Sequence, residues 1–518
     1  MPKYVVITGG VVSGVGKGIT VASLGRLLKA KGYKVSLQKF DPYINVDSSN
    51  LSPFQHGEIY VTDDGAETDL VIGHYERFVG ESMSADSIVT SGKVYSSVID
   101  NERAGKYNGR TVQIVPHITD EIKARLLKPD GDEIVLVDVG GTVGDMECQP
   151  FLEAFKQLGV LFGKDNVAYV HVSFVPFIEM SGEQKTKPTQ HSVKELQNVG
   201  IQPDVIVCRS DYPLEAGSKK KMAAFCNVAY DCIIENITNE HVLDILLKLE
   251  QQNFASVVLR RLKLADKKSE LDDWKEVCNK AYSGADKKKC KLVIVGKYVD
   301  TPDAYISLFE ALKYSAIELG AEFKLDWIAS DKLDDKKLSG LKAYDGIIIP
   351  AGFGERGFDG KVKAAKVARE NDIPCLMIGL GAQAGLIDFA RNVCGLKNAH
   401  SQEFEESTKQ PVVCTGSEFK KGAHKTLLEK DTKLASVYKK AVVNFRHRHK
   451  FEMNPDYISD YEKKGLVISG KTEYGQIDAF ELPKNKFHIG VSYRPEFAAW
   501  VGQPDKLITE FIKTTLQG

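Results

Sequence analysis

No C-x-x-C pair occurs among the nine cysteines, which are odd in number and scattered over 518 residues. A thiol-rich zinc knuckle and a redox dithiol are therefore not expected, and reduced thiols in a cytoplasmic setting fit the pattern. No stretch approaches the roughly 18 consecutive apolar residues of a membrane-spanning helix, so no span is predicted. Met1 is followed directly by strand-type residues without a basic-then-apolar leader, and no signal peptide is expected. An excess of one charge is missing too: 69 Lys and Arg face 70 Asp and Glu, a net of −1. Bulk charge thus gives nucleic acid no footing. What is present is an ordinary globular composition, 43% hydrophobic and 27% charged. The chain is too long for one core, and about two or three domains are expected.

From Lys3 to about residue 263, β-branched runs alternate with helical stretches. Lys34-Val35-Ser36-Leu37-Gln38-Lys39, Glu133-Ile134-Val135-Leu136-Val137-Asp138, Ala168-Tyr169-Val170-His171-Val172 and Asp204-Val205-Ile206-Val207-Cys208 read as buried parallel strands. The alternation predicts a doubly wound α/β domain, closed by a helix-rich segment over 239–264. The charge-rich interval 266–290 reads as an exposed linker with a short helix around Trp274. A second α/β unit begins at Lys291-Leu292-Val293-Ile294-Val295-Gly296, with further strands at Gly346-Ile347-Ile348-Ile349-Pro350 and Pro374-Cys375-Leu376-Met377-Ile378. The expected division is 1–265, 266–290 and 291–518.

The chemistry starts at Gly9-Gly10-Val11-Val12-Ser13-Gly14-Val15-Gly16-Lys17-Gly18-Ile19-Thr20, between the strand Tyr4-Val5-Val6-Ile7-Thr8 and a predicted helix. Strand, glycine loop with one lysine, then helix is a phosphate cradle. Inward N–H groups and the helix N-terminus favour anions, and the lysine reaches the outer phosphates. The spacing is that of a deviant P-loop: five residues separate Gly10 and Gly16, and Gly18-Ile19 intervene between Lys17 and Thr20. Three stretches accompany it. Lys39-Phe40-Asp41-Pro42-Tyr43 follows the second strand, at the sheet edge where open α/β folds bind ligands. Asp69, in a carboxylate-dense loop, and Asp138, at the end of a strand, are plausible magnesium ligands beside phosphate oxygens. Lys185-Thr186-Lys187-Pro188-Thr189-Gln190-His191-Ser192 suits a second polyphosphate.

With these stretches the first half resembles the synthetase domain of the CTP synthase family. The matches include residues 9–18, Asp41-Pro42-Tyr43-Ile44-Asn45-Val46-Asp47, Gln55-His56-Gly57-Glu58, 64–69, Gly73-His74-Tyr75-Glu76-Arg77-Phe78, 140–145, 185–192 and Phe225-Cys226-Asn227. The resemblance implies a P-loop amidoligase domain of the dethiobiotin-synthetase kind. In it ATP phosphorylates O4 of UTP, and ammonia displaces the phosphate to give CTP. It assigns catalysis to Lys17 and Lys39, and ATP to Ser13, Gly14, Val15, Gly16, Lys17, Gly18, Ile19 and Asp69. UTP or CTP falls to Ser13, Asp145, Glu147, Lys185, Thr186, Lys187, Gln190, Lys221 and Phe225, with Glu147 and Phe225 at the cytosine. Mg2+ falls to Asp69 and Asp138, and His56 is the gate admitting ammonia. The family normally carries Glu at the Asp138 position, and Asp47-Ser48-Ser49-Asn50 replaces its usual Asp-Pro-Gly-Thr.

Residues 291–518 resemble the class I glutamine amidotransferase domain of the same family. Gly352-Phe353-Gly354, Gln383, Glu403-Phe404 and Pro495-Glu496-Phe497 carry the match. That chemistry needs a thiolate, a histidine to move protons, and a carboxylate to orient the histidine. Here Met377-Ile378-Gly379-Leu380-Gly381-Ala382-Gln383 has glycine at the nucleophile position, and Ser492-Tyr493-Arg494-Pro495-Glu496 has arginine for the histidine. Only Glu496 of the triad remains, and Lys450 replaces the arginine expected to fork a glutamine carboxylate. The family's stretch associated with GTP is not recognisable near Phe419-Lys420-Lys421-Gly422.

The expectation is thus an ammonia-dependent, Mg2+- and ATP-using ligase with an inactive glutaminase-like domain. By resemblance it is a cytoplasmic homotetramer, and some members form filaments. Alternatives are a paralogue joining a different amine to UTP or a related nucleotide, a non-catalytic regulator of an active CTP synthase, and an unrelated partitioning-type P-loop ATPase.

Overall fold

The computed structural model describes residues 3–128, 133–239, 241–282 and 287–517. They fall into two compact units, one of residues 1–50 with 71–278 and the other of residues 51–70 with 279–518. Leu51–Leu70 thus belongs to the compact body of the chain's second half.

The main sheet of the first unit has seven strands: β1 (Lys3–Gly9), β2 (Val35–Asp41), β3 (Ile88–Thr90), β4 (Ile134–Val139), β5 (Val167–Phe174), β6 (Val205–Ser210) and β7 (Ile233–Ile237). All pair in parallel, in the order β7-β6-β5-β1-β4-β2-β3. Every residue of β4 is buried, as expected for a strand with helices on both faces. Helix α1 (Lys17–Ala30) follows β1, and helix α2 (Lys187–Val199) follows β5.

Around Trp274 the expected short helix is present, but it is packed on one side and not exposed. This is helix α3 (Asp272–Tyr282), whose indole is only 2% exposed. Trp274 Nε1 donates to Leu243 O at 2.9 Å, and its ring meets Phe78 at 5.1 Å. Leu271, Trp274 and Cys278 recur at helical spacing, so one apolar stripe lies under a charged face. Ahead of the helix, Lys31 Nζ reaches Asp266 at 2.8 Å, and Glu270 N donates to Ala30 O at 2.9 Å. Residues 283–286 of the polar stretch lie outside the described residues.

In the second unit the strands of the main sheet are β8 (Lys288–Gly296), β9 (Ala321–Ala329), β10 (Gly346–Ile349), β11 (Cys375–Ile378), β12 (Ala399–Ser401), β13 (Gln410–Leu428), β14 (Val442–Met453), β15 (Val467–Thr472), β16 (Ile477–Glu481) and β17 (His488–Val491). Their order is β9-β8-β10-β11-β17-β16-β14-β13-β12, with β15 against β13 and β16. The half from β9 to β17 is parallel, and antiparallel pairing begins where β17 meets β16. Helix α4 (Leu380–Asn392) leaves β11 through Gly379, and all its residues up to Ala390 are buried.

Trp274→Ala should remove the seal of α3 on the first unit. The expected cost is about 3–5 kcal/mol, read as a lower urea midpoint by circular dichroism. An unchanged midpoint would mean that α3 contributes nothing to the unit.

Candidate functional site

At the carboxyl edge of the first sheet, strand register sets the side chains. Lys39 on β2 stands directly beside Asp138 on β4, and Asp138 stands beside Ile7 on β1. Adjacent residues of parallel strands share a face, so a cation and a carboxylate meet where the strands end. Both are buried. Lys39 Nζ pairs with Asp41 Oδ1, and Tyr75 OH donates to Asp138 Oδ2 at 2.5 Å. Gly140 keeps this corner open, because a Cβ there would stand 2.6 Å from Asp41 Oδ1.

The loop after β1 brings the second lysine. Gly14 and Gly16 take left-handed φ of 75° and 90°, and Gly16 caps α1, so the positive end of the helix faces the loop. Val11 also sits at φ 74°, a strained conformation for a β-branched residue. Lys17 Nζ donates to Gly141 O at 2.7 Å. Burial pulls its ammonium below the ordinary lysine value; Asp138 and Asp41 oppose the shift and Lys39 adds to it.

Behind this loop lies a buried network that sequence reasoning left without a role. His171 on β5 joins Thr8 Oγ1 through Nδ1 at 2.9 Å and Ser192 Oγ through Nε2 at 2.8 Å. Burial, and then the charge of Lys17, pushes its pKa down to about 3, so the ring is neutral near pH 7. The network ties the end of β1 to α2, the helix that follows Lys185. On that helix Gln190 Nε2 donates to Thr186 Oγ1 at 3.0 Å. Lys187 lies 5.9 Å from the Phe225 ring centre, and Lys185 pairs with Glu183. Ser13, Asp145, Glu147, Lys221 and Phe225 are exposed. Asp69, half-buried, and His56, exposed on the short helix Pro53–His56, are counted with the second compact unit.

In the second unit the elbow between β11 and α4 has glycine backbone. Gly379 takes φ 55° and ψ −116°, and a Cβ would lie 3.1 Å from Ala351 Cβ. No thiol stands there. Cys375 is buried four residues upstream, with its thiol pKa raised by burial, and Cys394 is half-buried after the helix. Gln383 Nε2 donates to Phe451 O at 2.9 Å. Glu403 accepts from Gly354 N at 2.9 Å, and burial raises its carboxyl pKa. A Cβ on Gly352 would stand 2.9 Å from Lys297 Cδ. Arg494 is buried, donating from Nε to Glu496 at 2.5 Å and facing Glu58 at 3.5 Å. Lys450 is exposed. Instead Arg448 lies in the site, donating to Glu67 at 2.8 Å with its guanidinium 4.6 Å from the Phe353 ring centre. The cavity beside Arg494 and Arg448 is about 40 Å³, lined also by Glu58, Tyr298, Tyr305 and Gly352. That is room for a few waters, not for an amino acid.

A family profile described as CTP synthase N-terminus matches residues 3–264, and one described as glutamine amidotransferase class-I matches residues 300–514. A CTP synthase of Caldanaerobacter subterraneus is 45% identical over 531 residues, covering 100% of this chain and 98% of that one. A CTP synthase of Pyrococcus furiosus is 47% identical over 510 residues, covering 96% and 95%. The chain belongs to the CTP synthase family.

CTP synthases use Mg2+, and the carboxylates around Asp138 have the chemistry that such an ion requires. Asp138 Oδ1 and Asp41 Oδ2 are buried and accept no hydrogen bond. Open carboxylate oxygens of this kind fit a hard cation. Among the described residues no group of three or more His, Cys, Asp or Glu gathers as a metal cage. One or two carboxylates completed by phosphate oxygens is the usual magnesium arrangement in nucleotide sites. Asp41 and Tyr75 stand in stretches quoted for the resemblance, but nothing in periodicity marked either as a neighbour of Asp138.

Gly10→Ala should be damaging, because its Cβ would overlap Ser192 Oγ and lie 3.0 Å from His171 Nε2. The expected cost is about 1–3 kcal/mol, measured as a lower Tm. Part of it should return when Ser192→Gly is added. A wild-type Tm in Gly10→Ala would contradict the packing described.

Proposed function

We propose that the protein is an ATP-dependent C–N ligase that converts UTP to CTP with free ammonia, and that it does not hydrolyse glutamine. The observation carrying this reading is the contrast between its two sites. Lys17, Lys39, Asp41 and Asp138 converge at one buried sheet edge, whereas the elbow of the second unit has Gly379 and a buried Arg494. In this reading residues 13–19 and the N-terminus of α1 hold the ATP phosphates, with Lys17 and Lys39 on the transferred group. Asp69 and Asp138 would hold Mg2+, which when bound neutralises phosphoryl charge. Lys185, Thr186, Lys187, Gln190 and Lys221 take the UTP phosphates, and Ser13, Asp145, Glu147 and Phe225 take the nucleoside.

O4 of the uracil attacks the γ-phosphorus, the bond to the β–γ bridging oxygen breaks, and ADP departs. Ammonia, admitted past His56, adds at C4. The C4–O bond then breaks, phosphate leaves and a proton is released, giving CTP. A carbonyl oxygen leaves poorly and a phosphate leaves well, so fixed cations at the transfer supply the catalysis. Glutamine cannot be the donor in this reading. Gly379 offers no nucleophile, and a guanidinium stays protonated and cannot act as a base. Assembly as a cytoplasmic homotetramer belongs to the same reading. It is supported by Met146 and Phe225, 83% and 65% exposed beside the proposed UTP residues, which a second subunit would cover.

With ATP, Mg2+, UTP and ammonium, CTP should form, and at fixed total ammonium its rate should rise with pH as the free-base fraction grows. Glutamine in place of ammonium should give none, and turnover with glutamine but not ammonium would refute the reading. Product with another amine but not ammonium would favour the paralogue. Lys17→Ala should lower turnover by about 10²–10³-fold. Gly379→Cys alone should release no glutamate from glutamine, because Arg494 leaves the new thiol without a base; glutamate release would contradict this.

A further inference from the structure

Leu51–Leu70 carries His56 and is counted within the compact second unit. Three of its five carboxylates meet arginines. Asp63 accepts from Arg446 Nε at 2.5 Å, and Glu67 accepts from Arg448 at 2.8 Å. Arg446 and Arg448 lie on one strand, β14, two residues apart and hence on the same face. The third carboxylate, Glu58, meets Arg494, which comes from the turn after β17.

Glu58 is well fixed. Its backbone N–H donates to Asp303 O at 2.9 Å, and its Oε2 accepts from Ser307 N at 3.2 Å and from Ser307 Oγ. Its Oε1 faces the Arg494 guanidinium at 3.5 Å. Arg494 is held equally firmly: Glu496 takes its Nε, and its guanidinium lies 4.5 Å from the centre of the Phe497 ring. Phe497 in turn packs on Tyr60, two residues beyond Glu58, at 4.7 Å. One arginine therefore bridges the turn 494–497 and the segment 58–60. Both charges are buried, so removing the arginine would take away one of the contacts that compensate Glu58. An imidazole has a shorter reach, fewer donors and no fixed charge at neutral pH, so it could not make the same bridge.

We propose that Arg494 is a positioning residue: it fastens Leu51–Leu70 to the second unit, so that the segment bearing His56 is docked without a glutamine or acyl-enzyme in that unit. The inference rests on the ammonia-fed amination proposed above. On this account the loss of the base and the gain of a tether are one substitution. The position that would have generated ammonia now holds the segment through which ammonia from outside is used. The small cavity beside Arg494 agrees with a filled joint and not with a vacant substrate site.

The test compares full-length wild type with Arg494→Gln, Arg494→Lys and Glu58→Gln. Hydrogen exchange followed by mass spectrometry should be at least roughly fivefold faster in peptides covering 55–62 in the Gln variants, with α4 and the first unit unchanged. The KM for ammonium should rise by about 3- to 10-fold, while kcat at saturating ammonium and the KM values for UTP and ATP stay within about twofold. Arg494→Lys, which keeps the charge, should recover most of both effects. Wild-type exchange over 55–62 in Arg494→Gln would overturn the proposal. So would a fall in kcat with no change in the KM for ammonium, or a lysine variant no better than glutamine. If the wild type makes no CTP from ammonium, the amination reading fails, and the exchange measurement still decides the tether by itself.

Discussion

A lysine and two carboxylates buried together at the edge of a parallel sheet are the constraint from which the first unit follows. Charges removed from water must be paired or must await a charged ligand. Lys39 finds Asp41, and Asp138 finds the Tyr75 hydroxyl. Two carboxylate oxygens remain open, one on Asp41 and one on Asp138. Much of the surrounding backbone serves this corner. Gly140 leaves room for Asp41, and Gly14 and Gly16 turn the loop so that Lys17 arrives from above. His171, neutral and fully hydrogen-bonded, fixes the loop's starting point against α2.

The second unit has glycine at its elbow and a buried arginine at 494. The elbow keeps its φ of 55°, because β11 and α4 must still join at that angle, and glycine adopts it without strain. Nothing in the packing of the sheet needs a thiol there. The arginine at 494 is buried between two carboxylates, where a neutral side chain of similar size would remove the cation that faces both Glu58 and Glu496. The domain has the architecture of the class I glutamine amidotransferase profile, and arginines of its sheet region ion-pair with Leu51–Leu70.

Much of this was legible in the chain. The β-branched runs marked β2, β4, β5, β6, β8, β10 and β11 to within a few residues, since a strand buried on both faces has little choice of composition. The glycine–lysine loop marked the turn from β1 into α1, and the motif at 377–383 marked an elbow with glycine in place of a thiol. What escaped was long-range. Asp41 and His171 acquire meaning only from strand register, and Tyr75 only from the packing of the helix Leu70–Val79, neither of which periodicity supplies. The 266–290 interval looked like a linker because its lysines and aspartates outnumber the apolar stripe of Leu271, Trp274 and Cys278. Nothing local marks Glu58, Asp63 and Glu67 as partners of arginines nearly 400 residues later.

The central claim is that nitrogen enters from outside and none comes from glutamine. It is tested most directly by competition: ATP, Mg2+ and UTP are supplied with unlabelled ammonium and an excess of glutamine carrying 15N in its amide, and the CTP is weighed by mass spectrometry. The account predicts CTP of unlabelled mass only. CTP with 15N at its exocyclic nitrogen would contradict it.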